Sequence, residues 1–143
     1  CAGRIISLAE TGDGRYLISL QGVCRSRVVQ ELAAKAPFRQ CKIAPFLADL
    51  EEDPAAAEVD RPALLKAFRA YLQANDLEAD WESVSRAENA MLVNALSMMA
   101  PYGPAEKQAL LEAADLKTRA ETLIAITEMA LARENEDFGS SLQ

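Results

Sequence analysis

The pattern of hydrophobic and polar positions has two parts along the chain. Over roughly the first 47 residues it follows a period of two, which predicts strands at 1–9, 16–20, 22–29 and 38–47. Gly12 and Gly14 supply the positive φ angles of a tight hairpin between the first two strands. Pro45 suits a strand end or an edge. An acidic stretch at 51–58 separates this region from one with a helical period, so we predict a β subdomain at 1–50 and a helical subdomain at 59–135.

Four helices are predicted after this boundary, ending near residues 74, 99, 114 and 133. Asp60, Asp80 and Asp115 are the expected N-caps, and Pro62 and Pro104 fit first turns. The apolar stripes expected to face the core are Leu64, Leu65, Phe68, Tyr71 and Leu72; Trp81, Val84, Met91, Leu92, Leu96 and Met99; Leu110 and Leu111; and Leu116, Ala120, Leu123, Ile126, Thr127, Ala130 and Leu131. Strands followed by helices predict an α+β fold.

Composition and charge narrow the function classes. Half of the 143 residues are apolar, which is enough for a packed core, and the net charge is −7. Residues 1–42 carry seven basic and three acidic residues, and the rest of the chain carries eight basic and nineteen acidic ones. An acidic helical half argues against general nucleic-acid binding, which needs many cations. No apolar run approaches the roughly 20 residues of a membrane span, so we expect no membrane partner.

The sequence contains no residue pattern that indicates a catalytic site. The chain has no histidine, no phosphate-binding glycine loop and no ligand spacing typical of a metal site. The chain has an odd number of cysteines, Cys1, Cys24 and Cys41. We interpret Cys24 and Cys41 as small buried residues, and we expect the protein to work in the reducing cytoplasm. We therefore predict no enzyme activity, no catalytic residue, no metal and no cofactor.

For several side chains the sequence is compatible with both a binding role and a structural role. Trp81, Tyr102, Met98 and Met99 suit a hydrophobic recognition surface, but helical spacing favours core packing for Trp81 and Met99. Tyr102 stands in a Pro–Gly break, where an exposed role and a structural one are equally supported. Arg25 and Arg27 suit an acidic partner, although a solvated strand face or pairing with the acidic stretch is favoured. We retain Tyr102, Arg25 and Arg27 as candidates for binding.

A family resemblance covers nearly the whole chain. It is carried by Gly3-Arg4-Ile5, by the Asp13-Gly14-Arg15 turn, by the segment from Leu20 to Arg27, and in the helical half by Asp80-Trp81, Leu92 to Leu96, Pro101, Glu106 to Glu112 and Arg119 to Leu123. With these segments the chain resembles the N-terminal substrate-binding domain of Lon-type proteases, in the form that stands alone in bacteria. The resemblance implies a partial PUA-like β barrel followed by a four-helix bundle.

Two departures from the family pattern stand out. The family domain opens with further strands and a short helix, and the chain starts directly in a strand, so we expect it to lack that N-terminal segment. The family commonly has an aromatic residue between the two arginines that stand here as Arg25 and Arg27, where this chain has Ser26. In one alternating strand Cys24, Ser26 and Val28 would share a face. A lost buried phenylalanine typically costs about 3–5 kcal/mol.

The resemblance implies a non-catalytic module that binds polypeptide substrates or a partner protein. Apolar residues near the strand–helix junction are the expected contacts: Phe38, Phe46, Leu47 and Tyr102. RNA binding is the alternative, because PUA-like folds in other families bind RNA, and an enzyme with carboxylate chemistry is a third with no substrate indicated. A chain starting inside a sheet leaves an unpaired edge, which predicts a homodimer or strand exchange.

Overall fold

The structure, a computed structural model, describes residues 1–33, 35–99 and 101–140, with side chains described up to Arg133. The chain divides into two compact units, one formed by Cys1–Asp53 and one that begins at Pro54. The first unit contains two small antiparallel sheets and the second contains helices, so the predicted α+β class is confirmed.

The first sheet pairs β1 (Ala2–Glu10) with β2 (Tyr16–Cys24). Gly12 and Gly14 have φ angles of 80° and 81°, as the predicted hairpin turn requires. Asp13 also shapes the turn, because its carboxylate accepts hydrogen bonds from the Arg15 guanidinium and the Thr11 hydroxyl. These bonds, chiefly the one from Arg15, lower the pKa of Asp13 to about 2.

The second sheet pairs β3 (Ser26–Leu32) with β4 (Gln40–Pro45). The prediction of a strand at 22–29 is wrong, because β2 continues through Gly22 to Cys24 and the chain leaves the ladder at Arg25. There the Arg25 N–H donates to the Asp49 carboxylate instead of to a neighbouring strand. The fourth strand is shorter than the predicted 38–47, and a 3₁₀ turn follows it at Leu47–Leu50.

Each sheet has one apolar and one polar face, which follow from the pairing register. Extra residues at Ile6, Val23 and Val29 interrupt β1, β2 and β3, whereas β4 has none. The apolar side chains of one face of the first sheet, here the β1–β2 apolar face, are Ile5, Leu8, Tyr16, Ile18 and Leu20, and Glu10 lies opposite Tyr16 at its end. The apolar side chains of the β3–β4 apolar face are Val28, Cys41, Ile43 and Pro45, with Ser26 opposite Pro45 and Glu31 opposite Cys41. The opposite β3–β4 polar face carries Arg27, Gln30 and Lys42.

Ser26 and the two predicted core cysteines occupy different places from those expected. Ser26 opposes Pro45 and shares the β3–β4 apolar face with Val28, as predicted, but Cys24 belongs to a different strand. Cys41 is exposed and Cys24 only half-buried, so the prediction that both are buried is wrong. The physical reason is that no described residue of the first unit is buried, so this unit offers no interior to a small apolar side chain.

The second unit begins with a 3₁₀ helix, Pro54–Glu58, where the sequence suggested a linker, and continues with five α-helices. They are α1 (Arg61–Ala74), α2 (Trp81–Arg86), α3 (Asn89–Met99), α4 (Pro104–Glu112) and α5 (Leu116–Ser140). The three predicted N-caps are confirmed, because the side chains of Asp60, Asp80 and Asp115 accept backbone N–H groups of the first turns of α1, α2 and α5.

The single helix predicted up to Met99 is wrong, because the chain breaks between α2 and α3. Arg61 explains the break, since its guanidinium donates to the carbonyl oxygens of Val84, Ser85 and Ala87. These groups lie at the end of α2, where the carbonyl oxygens need partners from outside the helix. Ala87 itself is extended, with ψ at 138°. A helix of the second unit is therefore ended by a side chain from another helix.

The core of the second unit combines residues from α1, α3, α4 and α5. Its buried cluster is Val59, Leu64, Leu92, Val93, Leu110, Leu116, Ala120 and Leu123. The predicted stripes of α1 and α5 are confirmed at Leu64, Tyr71, Leu72, Leu116, Ala120, Leu123 and Thr127. The predicted stripes of the middle helices are wrong at Met91, Met99 and Leu111, which are exposed, and they miss Val93. Met99 is 80% exposed at the last residue of α3.

Candidate functional site

The junction between β2 and β3 is organised by Arg25. Its guanidinium donates to both carboxylate oxygens of Asp49 at 2.7–3.1 Å, and its backbone N–H donates to Asp49 Oδ2 at 2.7 Å. Both side chains are 18% exposed. The hydrogen bonds that the Arg25 guanidinium donates to Asp49 raise the pKa of Arg25, and the charges of Asp49 and Asp53 add to this shift. The pair therefore fixes the 3₁₀ turn Leu47–Leu50 to the junction, and its carboxylate comes from Asp49 and not from the acidic stretch at 51–58.

Phe46 and Leu47 are held in place by the same arginine. The Phe46 N–H donates to the Arg25 carbonyl oxygen at 2.9 Å, and the Arg25 guanidinium lies 5.7 Å from the centroid of the Phe46 ring. Leu47 follows at once and is 65% exposed. We call Arg25, Phe46, Leu47 and Asp49 the Arg25 junction. It presents two apolar side chains on a backbone segment that is hydrogen-bonded to Arg25 at Phe46 and again at Asp49.

Phe38 and Arg27 lie apart from this junction. Phe38 is exposed in the connection between β3 and β4, at the opposite end of β4 from Phe46. Six residues of strand separate those ends by roughly 20 Å. Arg27 is exposed on the β3–β4 polar face and has no ion pair within the described part of the chain. The structure thus brings together Arg25, Phe46 and Leu47 but not Phe38.

Tyr102 belongs to the helical unit. Its hydroxyl lies 2.6 Å from Thr127 Oγ1, which itself donates to the Leu123 carbonyl oxygen at 2.7 Å, so Tyr102 is the donor. Burial raises the pKa of this phenol. The ring borders a cleft of about 200 Å³ that is lined by Pro101, Gly103, Glu106, Ile126, Met129, Ala130 and Arg133. Tyr102 therefore has a structural role, and its exposed part faces a small cleft.

The β1–β2 apolar face is an exposed apolar surface of the described chain that the sequence pattern did not identify as a candidate site. Its five side chains are all exposed. The signal was present as a period of two, but strands of this kind normally bury one face, and the pattern alone does not show whether that face is covered. In the helical unit Met98 is exposed, as expected of a recognition residue, whereas Trp81 packs against Phe68 and Arg69.

Within the ranges given above, no group of three or more His, Cys, Asp or Glu side chains is arranged to hold a metal ion. Among the described helices, none is long and apolar enough to cross a membrane.

A comparison with protein families identifies what the chain is similar to. The family model of the substrate-binding domain of ATP-dependent protease La (LON) matches residues 1–128. The chain belongs to the Lon substrate-binding domain family. The match includes all four described strands of this Lon substrate-binding domain and extends into α5. Among curated proteins, none matches the chain. Membership indicates a module that interacts with protein substrates.

Proposed function

We propose that this Lon substrate-binding domain is a non-catalytic module that binds segments of other polypeptides through apolar side chains of its β unit. The Arg25 junction and the adjoining strand faces are the proposed contact surface. Tyr102 is a secondary candidate, because it belongs to a separate unit with its own small cleft. The three free cysteines are consistent with work in a reducing cytoplasm.

The observation that carries the proposal is the unburied apolar surface of the β unit. Large apolar side chains are exposed on both hairpins, and monomeric proteins seldom expose contiguous apolar patches beyond a few hundred Å². Covering such side chains stabilises a complex by about 25 cal/mol for each Å² removed from water. Sequence-independent apolar contacts are what recognition of unfolded polypeptides requires.

The Arg25 junction adds a geometric reason. Ordering flexible side chains during binding costs affinity, so residues that are already fixed make better anchors. Phe46 is held by its N–H bond to the Arg25 carbonyl oxygen and by the Arg25 guanidinium beside its ring, and Leu47 is the next residue along this backbone. An aromatic side chain with exposed apolar neighbours is a common centre of binding energy.

RNA binding through the β unit is the competing function. Phosphate binding depends on several uncompensated cations. Arg15, Arg25 and Arg39 are each engaged with a carboxylate inside the β unit, which weakens this alternative.

The test measures binding of a reduced and alkylated, permanently unfolded protein by fluorescence anisotropy. Replacing Phe46 and Leu47 by Ser together should weaken binding by about tenfold or more, since central anchors carry most of the binding energy. Met98→Ser, an exposed apolar residue of the helical unit, is the matched control and should bind like the parent. Unchanged affinity in the Phe46/Leu47 variant would refute the placement. A labelled RNA that binds with a steep salt dependence would favour the competing function.

A further inference from the structure

We propose that the free edge of β4 accepts an extended polypeptide segment whose residues alternate between apolar and acidic. The inference rests on the proposed function and specifies the kind of segment that the β unit binds. It combines three observations: the regularity of β4, the different character of the two faces of its sheet, and two cations without carboxylate partners.

β4 is the most suitable edge because it is the only described strand without an extra residue. Bulges twist a strand edge and obstruct pairing with another strand, and β1, β2 and β3 each contain one. β4 spans six residues, and its single proline, Pro45, stands at the last position. It pairs only with β3 among the described strands, so its other edge is open. Main-chain hydrogen bonds to such an edge are the basis of strand addition.

The faces of this sheet determine which side chains an added strand should carry. An added strand places alternate side chains on the two faces. On one face they would meet Ile43, which is 43% exposed, together with Cys41 and Pro45. On the other face they would meet Lys42. The segment therefore needs apolar residues at one set of alternate positions.

The charges on the β3–β4 polar face determine which residues the segment needs at its other alternate positions. Lys42 opposes Gln30, and Arg27 opposes Ala44, so the two cations are diagonal neighbours on the β3–β4 polar face. Neither has an ion pair in the described ranges, whereas Arg39 of the same hairpin is already bound to Glu31. Acidic residues beside Lys42 would complement this local charge, although the chain as a whole carries −7. A second copy of β4 continuing the same faces would instead bring Lys42 close to its own counterpart, which is unfavourable.

The experiment uses fluorescently labelled peptides of the same length as β4 in about 0.15 M salt, where long-range charge effects are screened. One peptide alternates Val and Glu, a second alternates Val and Lys, and a third is the Val–Glu peptide with every backbone nitrogen methylated, so that neither of its edges can donate. We expect the Val–Glu peptide to bind roughly threefold to tenfold more tightly than the Val–Lys peptide. Methylation should abolish binding, because it removes the main-chain donors.

Two charge-reversal variants of the full chain distinguish a local effect from a change of net charge. Lys42→Glu should reverse the preference, so that the Val–Lys peptide binds more tightly. Lys66→Glu makes the same charge change at an exposed position of α1 and should leave the preference unchanged. Circular dichroism of both variants confirms that each is folded.

Three results would overturn the inference: equal binding of the two charged peptides, equal effects of Lys42→Glu and Lys66→Glu, or full binding of the methylated peptide. In each case, continued binding of the unfolded protein with sensitivity to Phe46 and Leu47 would leave the proposed function intact. Failure of the parent chain to bind the unfolded protein as well as the peptides would contradict the proposed function itself.

Discussion

Arg25 connects three parts of the β unit through one side chain and its own backbone. Its carbonyl oxygen accepts the Phe46 N–H, its guanidinium and backbone N–H donate to Asp49, and it stands between the end of β2 and the start of β3. A hydrogen bond to a charged group contributes about 1.5–3 kcal/mol. Since the 3₁₀ turn Leu47–Leu50 has no buried residue, this pair is its main described attachment to the junction.

Asp49→Ala should therefore loosen the turn without unfolding the chain. We expect the amide hydrogens of residues 46–51 to exchange with deuterium roughly tenfold faster or more, because about 1.4 kcal/mol corresponds to a factor of ten. Asp13→Ala removes a carboxylate–arginine pair of the same unit at the exposed hairpin tip and serves as control. If exchange at 46–51 is the same in both variants, Asp49 does not hold the turn.

For single residues, the sequence indicates that Arg25 can have an acidic partner, but not where Arg25 lies relative to the strands. The prediction for this side chain is a solvated strand face or pairing with the acidic stretch at 51–58, and the structure instead pairs it with Asp49, just before that stretch. The end of β2 at Cys24 was not predictable, because alternation continues through Arg25 and only a hydrogen bond to a residue 24 positions away interrupts the strand. The position of Phe46 and Leu47 before the acidic stretch predicts their accessibility, whereas the contact of Phe46 with Arg25 depends on the folded chain.

Among the elements, α2 and α5 begin with aspartate caps whose charge matters. The Ser83 hydroxyl and backbone N–H groups lower the pKa of Asp80, and the Thr118 N–H chiefly lowers that of Asp115, both from an ordinary 3.8. A carboxylate with a lowered folded-state pKa stabilises the fold above its unfolded pKa. That stabilisation disappears as the pH falls through the folded-state value.

Replacing Asp80 and Asp115 by Asn should reduce the acid sensitivity of the helical unit. Asn caps helices about as well as Asp but carries no titrating charge. Between about pH 5 and pH 2, the melting temperature of the parent should fall more steeply than that of the double variant, as followed by circular dichroism at 222 nm. Glu78→Gln with Glu128→Gln removes two exposed carboxylates elsewhere and is the control. Parallel curves for parent and cap variant would contradict the role of these caps.

Local sequence signals predict where helices lie, but they do not predict where a helix is interrupted. Caps and apolar spacing located α1 and the start of α5 correctly, because both signals act within a few residues. The break between α2 and α3 depends on Arg61, which is more than 20 residues earlier in the chain. Within α3 the predicted spacing still places Leu92 and Leu96 towards the core, Val93 joins them, and Met91 and Met99 are exposed.

In the whole molecule, burial is confined to one of the two units. All described buried residues lie beyond Asp53, and the helical unit alone has an interior. Two-stranded hairpins are marginally stable without a third strand or a packing partner. A polypeptide that covers the strands of the β unit should therefore also stabilise its fold.

Self-association through a strand edge stays a prediction, and β4 is the edge at which we expect it. Pairing of two β4 strands that continues both faces brings the Lys42 side chains together, so the dimer should be weak near 0.1 M salt. Raising the salt to about 1 M shortens the Debye length from about 10 to about 3 Å and should strengthen it, as should Lys42→Ala. Sedimentation equilibrium from micromolar to millimolar concentration measures both effects, with Lys66→Ala as control. The Val–Glu peptide should dissociate the dimer by occupying the same edge, and a monomeric mass for Lys42→Ala at every concentration and salt would rule out this mode of association.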